Sequence, residues 1–373
     1  MLANPLGTEG PVEIGMMYAH TCNIECRHCG ILSSPRNRDR MSLEFAERCI
    51  REAAELDPKP TTIAFTGGEP FLFLPELERL IEVCNEVGLP TRVVTNGFWG
   101  LNPSSGRKIL HRLRLAGLDA LNFSADKYHL EFLPALVLRQ AIAIAREVGY
   151  VAIVNFVVNE PGDPAEQFAH LYAIPREDIR PFREDELAAQ IRDDAVPEEA
   201  YTKINLSYGR LIGLGRCAEY PEEHRLSPLH EFSYRSCGEV VNRPVVYPNG
   251  GLQACCGAGG KIAEFRVGSL HTHSLCELVD RMRQRSHFRF INHLGPRKLF
   301  EVMQMARPDG AAQDLHASIC DICVAATRGL EAGEVDGLLD HWALGRLFEG
   351  ALSTERKRGT PGSELIWPAG CGA

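Results

Sequence analysis

The sequence predicts an α/β protein. Its first half is a parallel sheet with crossover helices, and its second half is a smaller unit of different pattern. Two observations carry this. Between residues 12 and 160, short β-rich runs alternate with amphipathic helical patterns, as successive β-α units with right-handed crossovers do. After Cys217 that alternation stops, and a hairpin pattern and further helical patterns follow.

Taken in order, "VEIGMMYA" (12–19) reads as the first strand. "SLEFAERCIREAAEL" (42–56) has helical periodicity, with Ser42 as N-cap. "TTIAF" (61–65) is a strand, and "PELERLIEVCNEVG" (75–88) a helix ended by Gly88. "TRVVTN" (91–96) is the third strand, followed by a helix near 104–117. "ALNFSA" (120–125) is the fourth, followed by a helix near 134–148, and "VAIVNFVVN" (151–159) is the fifth. Residues 160–203 are rich in charge and proline and read as a helical excursion, with a sixth strand around 204–213. "EVVNRPVVYPNGGLQACCG" (239–257) reads as a β-hairpin turning at Pro248-Asn249-Gly250-Gly251. Helical patterns follow at about 274–285 and 324–350, before an irregular tail. Strands so arranged form a barrel, complete or partial, or an open doubly wound sheet. In either case the site lies at the strands' C-terminal ends.

Composition narrows the function classes. The chain has 373 residues, 45% of them apolar and 24% charged, as in a soluble globular protein. Forty basic against forty-nine acidic residues give a net charge of −9, which argues against nucleic acid as the main partner. No apolar run approaches the roughly 18 residues of a membrane span. The segment "MLANPLGTEG" lacks the features of a signal peptide, so a cytoplasmic location is expected. Thirteen cysteines are then more readily metal ligands or reagents than disulfides.

The first cysteine group is "TCNIECRHCG" (21–30), which places Cys22, Cys26 and Cys29 at C-x3-C-x2-C in the loop leaving the first strand. A structural zinc site wants a closed tetrahedral set, and a [4Fe–4S] cube normally takes four thiolates. Three local thiolates leave one iron open to a non-protein ligand. This loop, with "GGEP" (67–70) after the second strand, resembles the radical SAM superfamily. The resemblance implies a partial (β/α)6 TIM-like barrel and a [4Fe–4S] cluster on Cys22, Cys26 and Cys29. The open iron of that cluster binds S-adenosylmethionine (SAM). An electron from the cluster then cleaves SAM to a 5′-deoxyadenosyl radical, which abstracts a substrate hydrogen. Gly67 and Gly68 would let backbone approach the SAM ammonium, and Glu69 would add a charged or capping contact. His28 lies where the family's loop contacts adenine. Thr95, Asn96, Asn122, Ser124 and Asn155, at or near strand ends, and Arg216 of "GLGRC" (213–217) fall where the family recognises SAM. A zinc knuckle is the plainer alternative for the three cysteines. For His129 of "DKYH" (126–129) a loop histidine with no role is expected.

The second group is Cys237, Cys255, Cys320 and Cys323. Four thiolates from separate segments suit a closed metal centre, either structural zinc or a fully ligated [4Fe–4S] cluster. The set resembles the twitch version of the SPASM extension, a hairpin and helix holding one auxiliary [4Fe–4S] cluster. The domain reading is therefore a radical SAM core at 1–216, an auxiliary-cluster domain at 217–330, and a helix and tail at 331–373. Cys217, Cys256 or Cys276 could replace one of the four ligands. Cys256, if unligated and facing the pocket, would be a hydrogen-atom donor, as a cysteine is in radical SAM epimerases; a half-buried thiol in a hairpin is the plainer reading. Cys49 and Cys84 read as small core hydrophobes.

The resemblance implies that the auxiliary cluster takes an electron from a substrate radical. The expected substrate is a ribosomally made peptide, which the enzyme would crosslink, oxidise or epimerise. A small molecule of an aminoglycoside-like pathway is the alternative. An external electron donor such as flavodoxin or ferredoxin is expected. Few residues precede the first strand, so either a separate leader-peptide recognition protein or direct docking of the peptide is expected. A metal-binding scaffold and an iron–sulfur sensor are the non-enzyme alternatives, and neither would cleave SAM.

Overall fold

The computed structural model describes residues 11–158, 160–181, 197–220, 226–232, 236–257, 262–306, 315–330 and 333–342. Its first strand, β1 (Glu13–Ala19), is buried at every position. β1 is followed by α1 (Leu43–Ala54), β2 (Thr62–Gly67), α2 (Leu74–Glu86), β3 (Thr91–Thr95) and α3 (Pro103–Ala116). Next come β4 (Ala120–Ala125), a single turn α4 (Lys127–Leu130), α5 (Ala135–Val148), β5 (Ala152–Val158) and α6 (Pro164–Tyr172). A short β6 (Ile179–Pro181), α7 (Glu198–Thr202) and β7 (Ile204–Arg210) complete the first half.

β1 to β5 and β7 pair in that order, all parallel. This is the strand order and sense of a partial (β/α)6 barrel. The helices begin and end where the local chemistry directs. Ser42 caps α1, its hydroxyl accepting from Phe45 N at 3.2 Å. Cys49 and Cys84, both fully buried, pack into the core between helices and sheet, as small hydrophobes. β6 was not legible in the sequence. It is three residues long, lies inside the charged excursion and pairs with Ile204–Leu206 of β7. Residues 182–196 of that excursion lie outside the described residues.

The second half extends the same sheet. β9 (Val245–Val246) pairs parallel to Gly15–Met16 of β1. β10 (Gly251–Gln253) and β11 (Arg266–Ser269) follow antiparallel. The hairpin turns at Tyr247–Gly250, closed by Gly250 N donating to Tyr247 O at 2.9 Å. A two-residue β8 (Ser227–Pro228) pairs with β12 (Leu315–His316). α8 (Leu275–Gln284) starts in a capping box of Ser274 and Glu277. Its Leu275 N donates to Glu52 of α1 at 2.7 Å, joining the two halves. α9 (Ser286–Ala306) is broken at Gly295-Pro296, where proline removes a backbone donor. The helix expected over 324–350 is displaced. α10 runs Ile319–Thr327, and helix resumes at 334–342. Residues 343–373 lie outside the described residues.

One buried ion pair crosses the sheet. Arg92 of β3 donates to Glu13 of β1 through Nε (2.6 Å) and Nη2 (2.7 Å). Burial alone would raise the Glu13 carboxyl; Arg92, with Arg243 nearby, holds it below its usual value. The ionised form is therefore the stabilising one. Its contribution is complete above the unfolded carboxylate value of about 4.3 and is lost as pH falls through the lower folded value. Arg92→Leu strands a buried carboxylate and should cost about 3 kcal/mol near neutrality. The difference in melting temperature from the parent should narrow as pH falls below about 4. A difference that does not change with pH would contradict this assignment.

Candidate active site

β1 ends at Ala19, and the chain enters a closed loop. Cys22 N donates to Ser34 O at 3.1 Å and Ser34 N to His20 O at 3.3 Å, so the two legs of the loop are paired. Cys22 and Cys26 are buried and Cys29 is half-buried. All three line one cavity of about 230 Å³. Burial pushes the Cys22 thiol up to about 12. Burial, joined by the negative charge of Asp126, raises Cys26 further. Such thiols keep their protons until a metal centre replaces them.

The "GGEP" turn closes on the loop from β2. Gly68 N donates to Ala19 O at 2.8 Å, and Glu69 N to Thr21 O at 3.0 Å. A Cβ on Gly67 would lie 2.3 Å from Ala19 O, and one on Gly68 only 1.9 Å from Thr21 O. Both glycines line the cavity, but backbone packing against the cysteine loop already demands them. Gly68→Ala should therefore displace Cys22, whose nitrogen would lie 2.9 Å from the new Cβ. The expected result is a melting temperature of the metal-free chain below the parent's; an unchanged melting temperature would contradict it.

Glu69 is fully buried and acts as a cap. Oε1 accepts from Phe71 N (3.1 Å) and Thr95 Oγ1 (2.9 Å), and Oε2 from Asn96 N (2.8 Å). Burial pushes its carboxyl up to about 7 against these hydrogen bonds and the attraction of His129. Thr95 and Asn96 thus lie at the cavity with Glu69 stitching β2 to β3. Asn96 Nδ2 also donates to Asn23 Oδ1 at 2.8 Å, a partner the sequence reading missed.

Arg216 clamps the loop. Its Nε donates to Cys26 O (2.9 Å), Nη2 to Ser33 O (2.6 Å), and its backbone N to Cys29 O (3.1 Å). Gly215 precedes it at φ +58°, where a Cβ would lie 2.4 Å from Cys29 O. Arg216 lines the cavity, but its guanidinium holds backbone. Ser124 also lines the cavity, in register with Asn155. Asn122 and Asn155 do not line it; Asn155 Oδ1 is buried with no hydrogen-bond partner.

His28 and His129 share a carboxylate. Asp126, at the end of β4, caps α4 by accepting from Tyr128 N (2.9 Å) and His129 N (3.0 Å). Its Oδ2 lies 3.2 Å from His28 Nε2 and its Oδ1 3.0 Å from His129 Nδ1. Burial would raise the Asp126 carboxyl, but the two imidazoles hold it far below the usual range. One face of His28 is covered by Tyr128, stacked at 4.7 Å. His129 lines the cavity, which corrects its reading as a loop histidine without a role. The signal was an aspartate at a strand end with a histidine three residues on, in the turn it caps.

The second cysteine group also converges. The buried Cys323 thiol is raised first by burial and then by Cys255, Cys237 and Cys320 around it. Cys320 and Cys323 sit in the first turns of α10, capped by Ser318. Cys217 is not among them; it packs with Cys22 and Cys26 in a small apolar cluster. Cys276 is exposed at the start of α8.

Cys256 is exposed and does not line the cavity; its Sγ donates to Glu239 at 3.0 Å. β10 runs antiparallel to β9, so the chain at Cys255 and Cys256 heads toward the N-terminal end of β1. The three-cysteine loop leaves the other end, about 20 Å along the strand at roughly 3.3 Å per residue. This placement gives Cys256 no contact with the cavity, as a hydrogen donor would need.

The sequence model of the radical SAM superfamily matches residues 16–174, from β1 through α6. That match covers 159 of the 373 residues and takes in the parallel sheet up to β5. The chain is also similar to YydG of Bacillus subtilis (strain 168), a protein provisionally named for peptide biosynthesis. The two are 31% identical over 126 residues, 34% of this chain and 39% of that relative, so the match spans well under half of YydG. Among solved structures, anSMEcpe with bound AdoMet is 15% identical, covers 92% of this chain and 96% of its own, and superposes with a TM-score of 0.51. That likeness concerns the fold. Streptococcus suis SuiB bound to S-adenosylmethionine is 17% identical over 88% of this chain and 77% of its own, with a TM-score of 0.47. The radical SAM family uses a [4Fe–4S] cluster and SAM. Three thiols stand on the cavity wall, a donor set that suits a cluster with one iron left open. Among the described residues no helix is long and apolar enough to cross a membrane.

Proposed function

We propose that this chain is a radical SAM peptide-modifying enzyme, with Cys22, Cys26 and Cys29 holding the SAM-binding cluster. The convergence of these three thiols on one cavity at the C-terminal ends of the parallel strands carries the reading. When bound, the cluster and SAM supply the electron and the 5′-deoxyadenosyl radical that removes a substrate hydrogen. The chain's own residues position these groups. Arg216 and the Gly67-Gly68 turn hold the cysteine loop in shape from two sides. Glu69 fixes Thr95 and Asn96 at the rim. Ser124 and the free edge of His28 offer polar contacts in the cavity.

The likeness to YydG supports a peptide as substrate. Cys237, Cys255, Cys320 and Cys323 are read as ligands of an auxiliary [4Fe–4S] cluster in a domain spanning 217–330, and an external one-electron donor completes the system. The test is anaerobic incubation of the reconstituted, reduced chain with SAM and a candidate precursor peptide encoded beside its gene. A SAM-dependent change in peptide mass is the expected result. Formation of 5′-deoxyadenosine with every neighbouring peptide unchanged would overturn the peptide assignment.

A further inference from the structure

We infer that Cys26, His28 and His129, oriented by Asp126, form a mononuclear site for a zinc-like divalent cation when the cysteine loop carries no cluster. One ligand atom from each of the three lies within 4.8 Å of the others. Cys26 is buried and both imidazoles are half-buried, so the donors are largely withdrawn from water. Asp126, only 1% exposed, lies 3.2 Å from Nε2 of His28 and 3.0 Å from Nδ1 of His129, and it is at His28 that it can accept the ring N–H, since His129 Nδ1 makes no hydrogen bond. A carboxylate accepting an N–H fixes the tautomer and turns the other ring nitrogen into a lone-pair donor. That nitrogen in His28, Nδ1, is buried with no hydrogen-bond partner. Asp126 cannot swing away freely, because two backbone N–H groups of α4 hold it. Tyr128 stacks on His28 and fixes the ring plane.

One thiolate and two imidazoles are the donor types of a zinc-like ion, and three protein ligands leave a fourth position open toward the cavity. Cys22 and Cys29 are not part of this set. The site therefore shares one residue with the proposed cluster, and the two occupancies exclude each other. That exclusion rests on the cluster assignment; the cation site does not.

The experiment uses the full chain, freed of iron and kept anaerobic, titrated with Co2+ alone and then with Zn2+ as competitor. Any all-thiolate signal from the second cysteine group is common to every variant. The readout is thus the difference spectrum between the parent and His129→Ala. A mixed thiolate–imidazole spectrum is expected in the parent and in the Cys22→Ala and Cys29→Ala variants. His129→Ala and Cys26→Ala should lose it, and the conservative Asp126→Asn should weaken binding by about 10–100-fold. Melting temperatures without metal show whether each variant is folded. The inference is overturned if Cys22→Ala or Cys29→Ala abolishes the mixed spectrum. An unchanged affinity in His129→Ala, or no mixed spectrum in the parent, overturns it as well.

Discussion

Cys29→Ala should reduce cleavage of SAM to background while leaving the iron of the second cysteine group in place. A cube held by three thiolates keeps one iron for SAM, and the loss of a thiolate removes the geometry that presents it. The substitution is chosen because the loop does not depend on this side chain. Cys29 is half-buried, and its backbone makes the structural contacts, N to Cys26 O and O from Arg216 N. The expected loss is therefore chemical rather than a collapse of the loop. It is read as 5′-deoxyadenosine formed by the reconstituted, reduced variant. Cleavage at the parental rate would remove Cys29 from the cluster.

The triple variant Cys22→Ala/Cys26→Ala/Cys29→Ala should retain about four irons per chain, against about eight in the parent. The four thiols of the second group come from three separate segments, yet Cys255, Cys237 and Cys320 all surround Cys323. A closed set of four thiolates satisfies a complete cluster without a non-protein ligand. Zinc also accepts four thiolates, so the metal found is the discriminating result. A triple variant that contains zinc and no iron would make the second group a structural zinc site. It would leave the reading of the first loop untouched.

The strands and most helices were legible because each carries its own period and punctuation. "ALNFSA" is β4 with no shift of boundary, and Ser42 caps α1 as its sequence position suggests. β6 was not legible, because three residues carry no period and its pairing with β7 is set by tertiary contact. The cysteine loop and its "GGEP" partner were legible as spacing. The reason for the glycines was not, since the carbonyl oxygens of Ala19 and Thr21 that exclude a side chain lie almost fifty residues away in sequence. His129 was missed on the same ground. A histidine acquires meaning only when the fold brings Asp126 and His28 to it. Cys256 shows the converse. It adjoins Cys255 in sequence, but the hairpin register carries it away from the cavity.

The most direct measurement of the central claim is 5′-deoxyadenosine produced by the full chain, reconstituted with iron and sulfide without oxygen and then reduced. SAM-dependent formation that requires the reductant and the three cysteines of the first loop is expected. A fully iron-loaded, reduced chain that leaves SAM intact, with peptide present or absent, would contradict it.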